Sequence, residues 1–465
     1  MLQIDTHSKI PYYVQIYTYY RDEITARRMP AGMKMASVRE LAQRAGVSKM
    51  TVEKAYYQLA SEGYIIRRTK ARYEVADIAF PQKKEQPVYR QQEKQETLPP
   101  VIYDFGSGDM DMERFPMTVW RKLMSRVLSE PAYLLANQDE QGAPVLRQAL
   151  SEYVYQSRGV HADPESILIG SGTIPLLAVL TSLLQPDFER IAVEEPGFLL
   201  GRELFRSRGF SLQPVPVRDG LLDMDILKQS GARLVYVSPS HQFPTGTVMP
   251  AGMRYDLLHW AGDYDGMIVE DDYDSELRYY GRPVPALQGM DKAGRVIYMG
   301  ALSKVLPPFV RLSYMVLPPP LLMRYRKSRA LFRQGSSVLE QCVLAEYIRS
   351  GELARQVRRL RKDYQEKGEL MERFLVKAFG DRIRVSRIVS GVYCHITLKS
   401  QDTEERLLKK AAEKGCRVLS VQSFYENRNL ETEKEFLLSF SKIPGGQLKD
   451  AVGALKTAWS EKEGD

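Results

Sequence analysis

The chain has 465 residues, 44% of them hydrophobic; this is too long for one ordinary domain and apolar enough for a substantial core, so two or three domains are expected and disorder throughout is excluded. The net charge of +8 is uneven, with 13 Lys and Arg against 8 Asp and Glu over residues 1–80 and 53 against 50 over the remainder, so the basic first sixth suits a polyanion and the balanced remainder a small-molecule domain. Cys342, Cys394 and Cys416 lie far apart with no C-x-x-C spacing or clustered histidines, and there is no basic leader or membrane-length apolar run; disulfides, a metal site, export and membrane insertion are not expected, and a cytoplasmic protein is.

In chain order, the first clear elements are two short helices. Ser37-Val38-Arg39-Glu40 reads as a capping box, and Val38, Leu41, Ala42 and Ala45 follow at i, i+3, i+4, i+7. Gly46 breaks the run, Ser48 caps a second helix, and Val52, Ala55, Tyr56 and Leu59 repeat the spacing. Two short helices joined at a glycine make a helix-turn-helix. The opposite face of the second helix offers Ser48, Lys49, Met50, Glu53 and Lys54, joined by Thr51, a mixture of hydrogen-bonding and cationic groups suited to a DNA major groove. Beyond Gly63, residues 64–75 read as a β-ribbon carrying Arg67, Arg68, Lys70 and Arg72, which would form a wing. A helical hairpin with a solvated basic face would account for the charge, but not for the capping box and ribbon together.

Residues 79–101 contain four prolines and five glutamines with almost no aliphatic side chains, and read as a linker between a DNA-binding domain at 1–78 and an effector domain at 102–465. From Tyr103 onward short aliphatic runs alternate with longer amphipathic stretches, the pattern of a mainly parallel sheet with helical crossovers. Five of the runs end in polar turns, at Gly170-Ser171-Gly172-Thr173, Glu194-Glu195-Pro196-Gly197-Phe198, SPSHQFPTG after Val237, Glu270-Asp271-Asp272-Tyr273, and Gly300-Ala301-Leu302-Ser303-Lys304. Ligands of open α/β sheets sit beyond the carboxyl ends of strands, so these five ends are expected to converge on one crevice. After about Arg324, charge-rich helices lead to a smaller α+β lobe.

Those turns carry a chemical set. Lys304 follows a strand and the small Ser303; Asp271 ends an apolar strand; Tyr273, two residues on, points to the same side; Arg311 offers a bidentate fork, and Gly172, Thr173 and Ile174 open a helix with free amides. An amine for an aldehyde, an anion for a ring nitrogen, a donor for a phenolic oxygen and a phosphate cradle are what pyridoxal 5'-phosphate requires. Phe198 is placed to stack on its ring, and His241 and Gln242 in the SPSHQFPTG turn either touch the ligand or merely shape the turn. Singly, each residue has a plainer explanation: a solvated lysine, a surface loop or Mg²⁺ site at EDDYD. Order and spacing together carry the reading.

The segments PYYVQI, ASVRELA, GVSKMTVEKAY and SEGYI resemble the winged helix-turn-helix of GntR-type regulators, which implies DNA contacts at Arg39, Ser48, Lys49, Met50, Thr69 and Lys70, with Ser37, Thr51, Lys54, Arg67 and Arg68 as further candidates on the same surfaces. The wing lacks a glycine-containing tip, and Glu53 stands where some members place an arginine, which leaves the operator sequence open. VEDDYDSELRY followed by YMGALSKVLPPFVRLSYMVLP resembles the core of fold-type-I aminotransferases in the MocR-type variant, where a GntR-like domain lies upstream. The resemblance implies an α/β protein in which a winged helix-turn-helix is joined by a linker to an aminotransferase-like domain with a large, mainly parallel sheet and a smaller C-terminal α+β lobe. It implies Lys304 as the Schiff-base lysine, Asp271 at the pyridine nitrogen, Tyr273 at the phenolic oxygen, Arg311 and Ser303 at the phosphate, and Phe198 at the stacking position. Residues 435–440 lack the arginine that many aminotransferases use for a substrate carboxylate, leaving Arg417 or Arg202 as substitutes. The expectation is a homodimer, head-to-tail as in the family, that binds a double-stranded DNA operator and responds to a small amine or amino acid displacing Lys304, or to pyridoxal phosphate itself. The alternative is a working aminotransferase whose DNA-binding module only autoregulates or tethers it, and a third reading is a DNA-binding protein with a degenerate, cofactor-free domain.

Overall fold

A computed structural model describes residues 2–67, 72–78, 99–281, 284–332, 335–426 and 434–460. The chain divides into two compact units, Met1–Glu96 and Thr97–Asp465. Arg68, Thr69 and Lys70 of the expected wing, and most of the expected linker, lie outside the described residues.

The first unit is built from α1 (Tyr12–Thr25), α2 (Val38–Ala45), α3 (Lys49–Ser61) and the antiparallel pair β1 (Ile65–Arg67) and β2 (Tyr73–Val75). The capping box forms: Ser37 Oγ accepts from the Glu40 amide at 3.2 Å while the Ser37 amide donates to the Glu40 carboxylate at 2.9 Å. Gly46, at φ 65°, takes the left-handed conformation that ends α2, and Ser48 Oγ accepts from the Thr51 amide at 3.2 Å to start α3. Helix α1, which no clear periodic pattern in the sequence marks, contributes Ile16, Tyr20 and Ile24 to the core alongside Leu41, Val52, Ala55, Tyr56, Leu59, Ile65 and Val75. The Tyr56 hydroxyl donates to the Ala36 carbonyl at 3.0 Å, tying α3 to the approach of α2.

The second unit opens with β3 (Tyr103–Asp104) and the helices α4 (Met117–Leu128), α5 (Pro131–Ala136) and α6 (Pro144–Arg158). Its main sheet then uses β4 (Ile167–Gly170), β5 (Arg190–Glu195), β6 (Ser211–Arg218), β7 (Leu221–Leu222), β8 (Leu234–Val237), β9 (Met267–Asp272), β10 (Val296–Ala301) and β11 (Ser313–Val316), in the order β4-β11-β10-β9-β8-β5-β6-β7. Pairing is parallel from β10 through β9, β8 and β5 to β6, and antiparallel where β11 and β7 join. The sheet is therefore mainly parallel. Strands such as β4, β8 and β10 are buried on both faces, as ILIG, LVYV and VIYMGA show by being apolar throughout. Helices α7 (Thr173–Leu184) and α8 (Leu199–Ser207) leave the ends of β4 and β5.

The long helix Glu352–Phe379 leads to the smaller lobe, a sheet of β12 (Ile383–Val385), β13 (Tyr393–Leu398), β15 (Leu419–Ser420) and β16 (Lys434–Ser439), while β14 (Cys416–Arg417) pairs with β3. One apolar cluster runs from α4 and α6 through the long helix into β13 and β16, so the two lobes of this unit share a core. Among the described residues no helix is long and apolar enough to cross a membrane, and no group of three or more His, Cys, Asp or Glu is placed to hold a metal ion.

Candidate functional site

Parallel strands deliver their carboxyl ends to one edge of the sheet, and all five expected ends meet there. A cavity of about 260 Å³ is lined by Thr173 after β4, Phe198 after β5, Ser238 after β8, Asp271 and Tyr273 at the end of β9, and Ala301, Ser303 and Lys304 after β10. Phe243 and Tyr393 complete the wall.

Lys304 Nζ donates to the Gly108 carbonyl at 2.9 Å and lies 5.5 Å from the centre of the Tyr393 ring. Burial lowers its pKa, opposed by the charges of Asp274 and Asp109, which favours the neutral amine. Asp271 is 6% exposed and accepts a hydrogen bond from the Tyr236 hydroxyl. Burial pushes its carboxyl up to about 7, with Asp272 and Asp274 adding to the rise. A cation opposite Asp271 would reverse that shift. Tyr236 in turn lies nearly parallel to Phe198, ring centres 6.3 Å apart.

Tyr273 and Asp274 share one histidine. His241 Nδ1 lies 2.7 Å from Asp274 Oδ2 and 3.0 Å from the Tyr273 hydroxyl, and the His241 and Tyr273 rings stack. With Nδ1–H donating to the Asp274 carboxylate, that nitrogen cannot accept from Tyr273, whose hydroxyl proton is then free for a partner in the cavity. Behind this layer Asp272 accepts from Arg158 Nε at 2.8 Å and from the Tyr298 hydroxyl at 2.7 Å, a buried pair that anchors the end of β9.

A second cavity of about 260 Å³ shares Thr173 and Ser303 with the first and adds Gly172, Ile174, Arg311 and Asp109. Gly172 caps α7 at φ 125° without any side-chain cap, so the amides of Thr173 and Ile174 have no side-chain acceptor. Arg311 makes no hydrogen bond or ion pair among the described residues, whereas Asp109 is held by Lys442 at 2.9 Å and by Ser107 at 2.8 Å. The net character of this end is that of an anion cradle.

Four expected residues stand elsewhere. Gln242 is 2% exposed and spends its amide on the Pro196 and Phe243 carbonyls, both at 2.7 Å, and on Thr245, so it shapes the turn and does not line the Lys304 cavity. His241 also lies behind that wall, acting on it through Tyr273. Arg202 is buried against Glu195 at 3.0 Å, and Arg417 forms a two-point ion pair with Asp104 on the surface; neither lines the cavity, because each already has a carboxylate. Conversely, Gly108, Phe243 and Tyr393 were missed. A Cβ on Gly108 would sit 2.2 Å from the Tyr393 hydroxyl and 2.8 Å from Lys304 Nζ, so any larger residue would push these two side chains from their places. Its sole sequence signal is a glycine in a short polar run.

In the first unit the expected DNA-facing residues divide by what they already bind. Ser37 is committed to its capping box, and Ser48 and Thr51 hydroxyls bond each other at 2.8 Å. Lys54 lies 4.0 Å over the Tyr13 ring and Arg67 5.5 Å over Tyr73. Arg39 and Lys49 are exposed without partners among the described residues, and Met50 is 78% exposed.

Residues 12–75 match the family of bacterial regulatory proteins, gntR family, and residues 100–455 match aminotransferase class I and II. The chain is 30% identical to the probable rhizopine catabolism regulatory protein MocR of Rhizobium meliloti over 99% of its own length and 96% of that protein. It belongs to the MocR-type regulators. These couple a GntR helix-turn-helix to an aminotransferase-like domain of a pyridoxal-phosphate-dependent family. A second relative, the uncharacterized HTH-type transcriptional regulator YdeL of Bacillus subtilis (strain 168), is 36% identical over 97% of each chain. Among solved structures, the α-aminoadipate aminotransferase LysN of Thermus thermophilus, complexed with N-(5'-phosphopyridoxyl)-L-leucine, superposes with a TM-score of 0.69 at 25% identity, covering 77% of this chain and 91% of that one.

Proposed function

We propose that this MocR-type chain is a cytoplasmic homodimeric regulator, head-to-tail in arrangement, that holds pyridoxal phosphate in its second unit and changes its occupancy of a DNA operator when a small amine or amino acid, or the cofactor itself, binds there. The observation that carries the reading is the joint presence of Lys304 and Asp271 in one cavity, an amine whose pKa burial lowers and a buried carboxyl with no cation paired to it among the described residues. Lys304 would hold the cofactor's aldehyde, Asp271 its ring nitrogen and Tyr273 its phenolic oxygen, while Ser303, Arg311 and the amides of Thr173 and Ile174 would hold its phosphate. Phe198 would cover one face of the ring. When bound, the cofactor supplies an aldehyde that combines reversibly with amines and a ring that withdraws electrons.

The chain's own residues do the rest. Asp271 holds a proton at or near the ring nitrogen, and Tyr273, kept oriented by His241 and Asp274, donates from its hydroxyl. Lys304, once free, can take and return a proton beside the Gly108 carbonyl. Tyr393 and Phe424 come from the smaller lobe, Phe424 meeting Phe243 at 4.8 Å, so a ligand that draws on this wall favours one arrangement of the lobes. Only the difference in its affinity for two arrangements can shift DNA occupancy.

The test is to load the full-length chain with pyridoxal phosphate and titrate amines and amino acids while recording visible absorbance and, in parallel, operator binding. A band that shifts, persists and moves DNA occupancy supports a sensor. Conversion of the band to the pyridoxamine form, reversed by a keto acid, would instead make the chain a working aminotransferase. Lys304→Ala should abolish the response to amines and leave bare DNA affinity intact; loss of DNA binding would contradict the division of labour.

A further inference from the structure

Helix α3 turns Val52, Ala55, Tyr56 and Leu59 into the core and presents Met50, Glu53, Lys54 and Tyr57 outward, at i, i+3, i+4, i+7. Most polar groups near this face are already engaged: Ser48 with Thr51, and Lys54 with the Tyr13 ring. Glu53 is not; it has no hydrogen bond or ion pair among the described residues. Several other carboxylates of the unit have work within it. Glu40 closes the capping box, Glu62 accepts from Gln58 and from Tyr17, and Asp22 and Glu23 pair with arginines.

A free carboxylate on the face that meets a polyanion weakens binding by repulsion unless it accepts from a donor on the DNA. The major groove exposes two such donors, the N4 amino group of cytosine and the N6 amino group of adenine. Adenine places its N7 acceptor beside N6, where a carboxylate would be repelled; cytosine does not, and an acceptor-only side chain matches it. Met50, 78% exposed, ends in a methyl group that suits the methyl of thymine. Three residues along a helix rise about 4.5 Å, close to one base-pair step of about 3.4 Å. We propose that Glu53 selects a cytosine in the operator and Met50 a thymine in the adjoining base pair. This rests on the unit's reading as a DNA-binding module with α3 in the major groove.

The test selects binding sites from a randomised duplex pool with the full-length chain and with Glu53→Ala, Glu53→Gln and Met50→Ala. The native chain should enrich a C·G pair adjoining a T·A pair. Glu53→Ala should cost about tenfold in discrimination at the cytosine and leave the remaining positions unchanged. Glu53→Gln should move the preference there to adenine, whose N6 and N7 match a carboxamide, and Met50→Ala should level the thymine alone. Both side chains are exposed, and unchanged melting of the variants would show that the helices persist. The same motif from all four proteins, or no cytosine at the position the Glu53 variants alter, overturns the proposal. A native chain that enriches no sequence at all overturns the DNA-binding reading beneath it.

Discussion

Replacing Asp271 by asparagine keeps the size of the side chain and removes a carboxylate that is costly to bury. Without cofactor, burial raises the Asp271 carboxyl from 3.8 to about 7. Between about pH 4 and about pH 7 the folded chain therefore holds a proton that the unfolded chain has released, so stability falls as pH rises through that window and is level above it. About three pH units correspond to about 4 kcal/mol, of which about 2 kcal/mol is offset by the altered bond to Tyr236 and an extra amide N–H to satisfy. The remaining gain of about 2 kcal/mol translates into about 3 °C for a unit of this size. Thermal unfolding of the cofactor-free native chain and Asp271→Asn, from about pH 4 to about pH 8, should show the variant less stable by about 2 kcal/mol at the acid end, crossing the native chain between, and more stable by a constant margin above about pH 7. With cofactor bound the order should invert, because asparagine cannot neutralise a protonated ring nitrogen. A difference independent of pH, or a cofactor-free variant less stable than the native chain at pH 8, would refute the reasoning.

Gly108→Ala forces a methyl group against the Tyr393 hydroxyl and Lys304 Nζ, so cofactor affinity, read by visible absorbance, should fall at least about tenfold while far-ultraviolet dichroism is unchanged. Ser37→Ala removes the capping box of α2 and should cost about 1 kcal/mol in the stability of the helix-turn-helix unit, measured by urea unfolding. Arg158→Met leaves Asp272 buried with only the Tyr298 hydroxyl, and a loss of about 3–5 kcal/mol should appear in the unfolding of the second unit; an unchanged midpoint would mean that the pair does not hold the end of β9.

Much of this protein is written in short stretches. The capping box at Ser37 and Glu40, the break at Gly46 and the start at Ser48 each depend on bonds within four residues, so composition and spacing suffice to read them. The apolar strands ending in polar turns are equally local, and parallel topology then brings Thr173, Phe198, Ser238, Asp271 and Lys304 to one edge. Helix α1 is hard to read from sequence because its buried residues Ile16, Tyr20 and Ile24 stand among four further tyrosines that are half-buried or exposed, which blurs the periodic signal. Tertiary packing alone decided the partners of several charged groups. Arg417 pairs with Asp104 from 313 residues away, Arg202 turns inward to Glu195, and Lys304 finds the Gly108 carbonyl 196 residues upstream. Hydrogen bonds between near neighbours are set by the order of residues, but the partner of a buried charge is whichever group the folded chain carries within about 3 Å of it, and no local pattern records that.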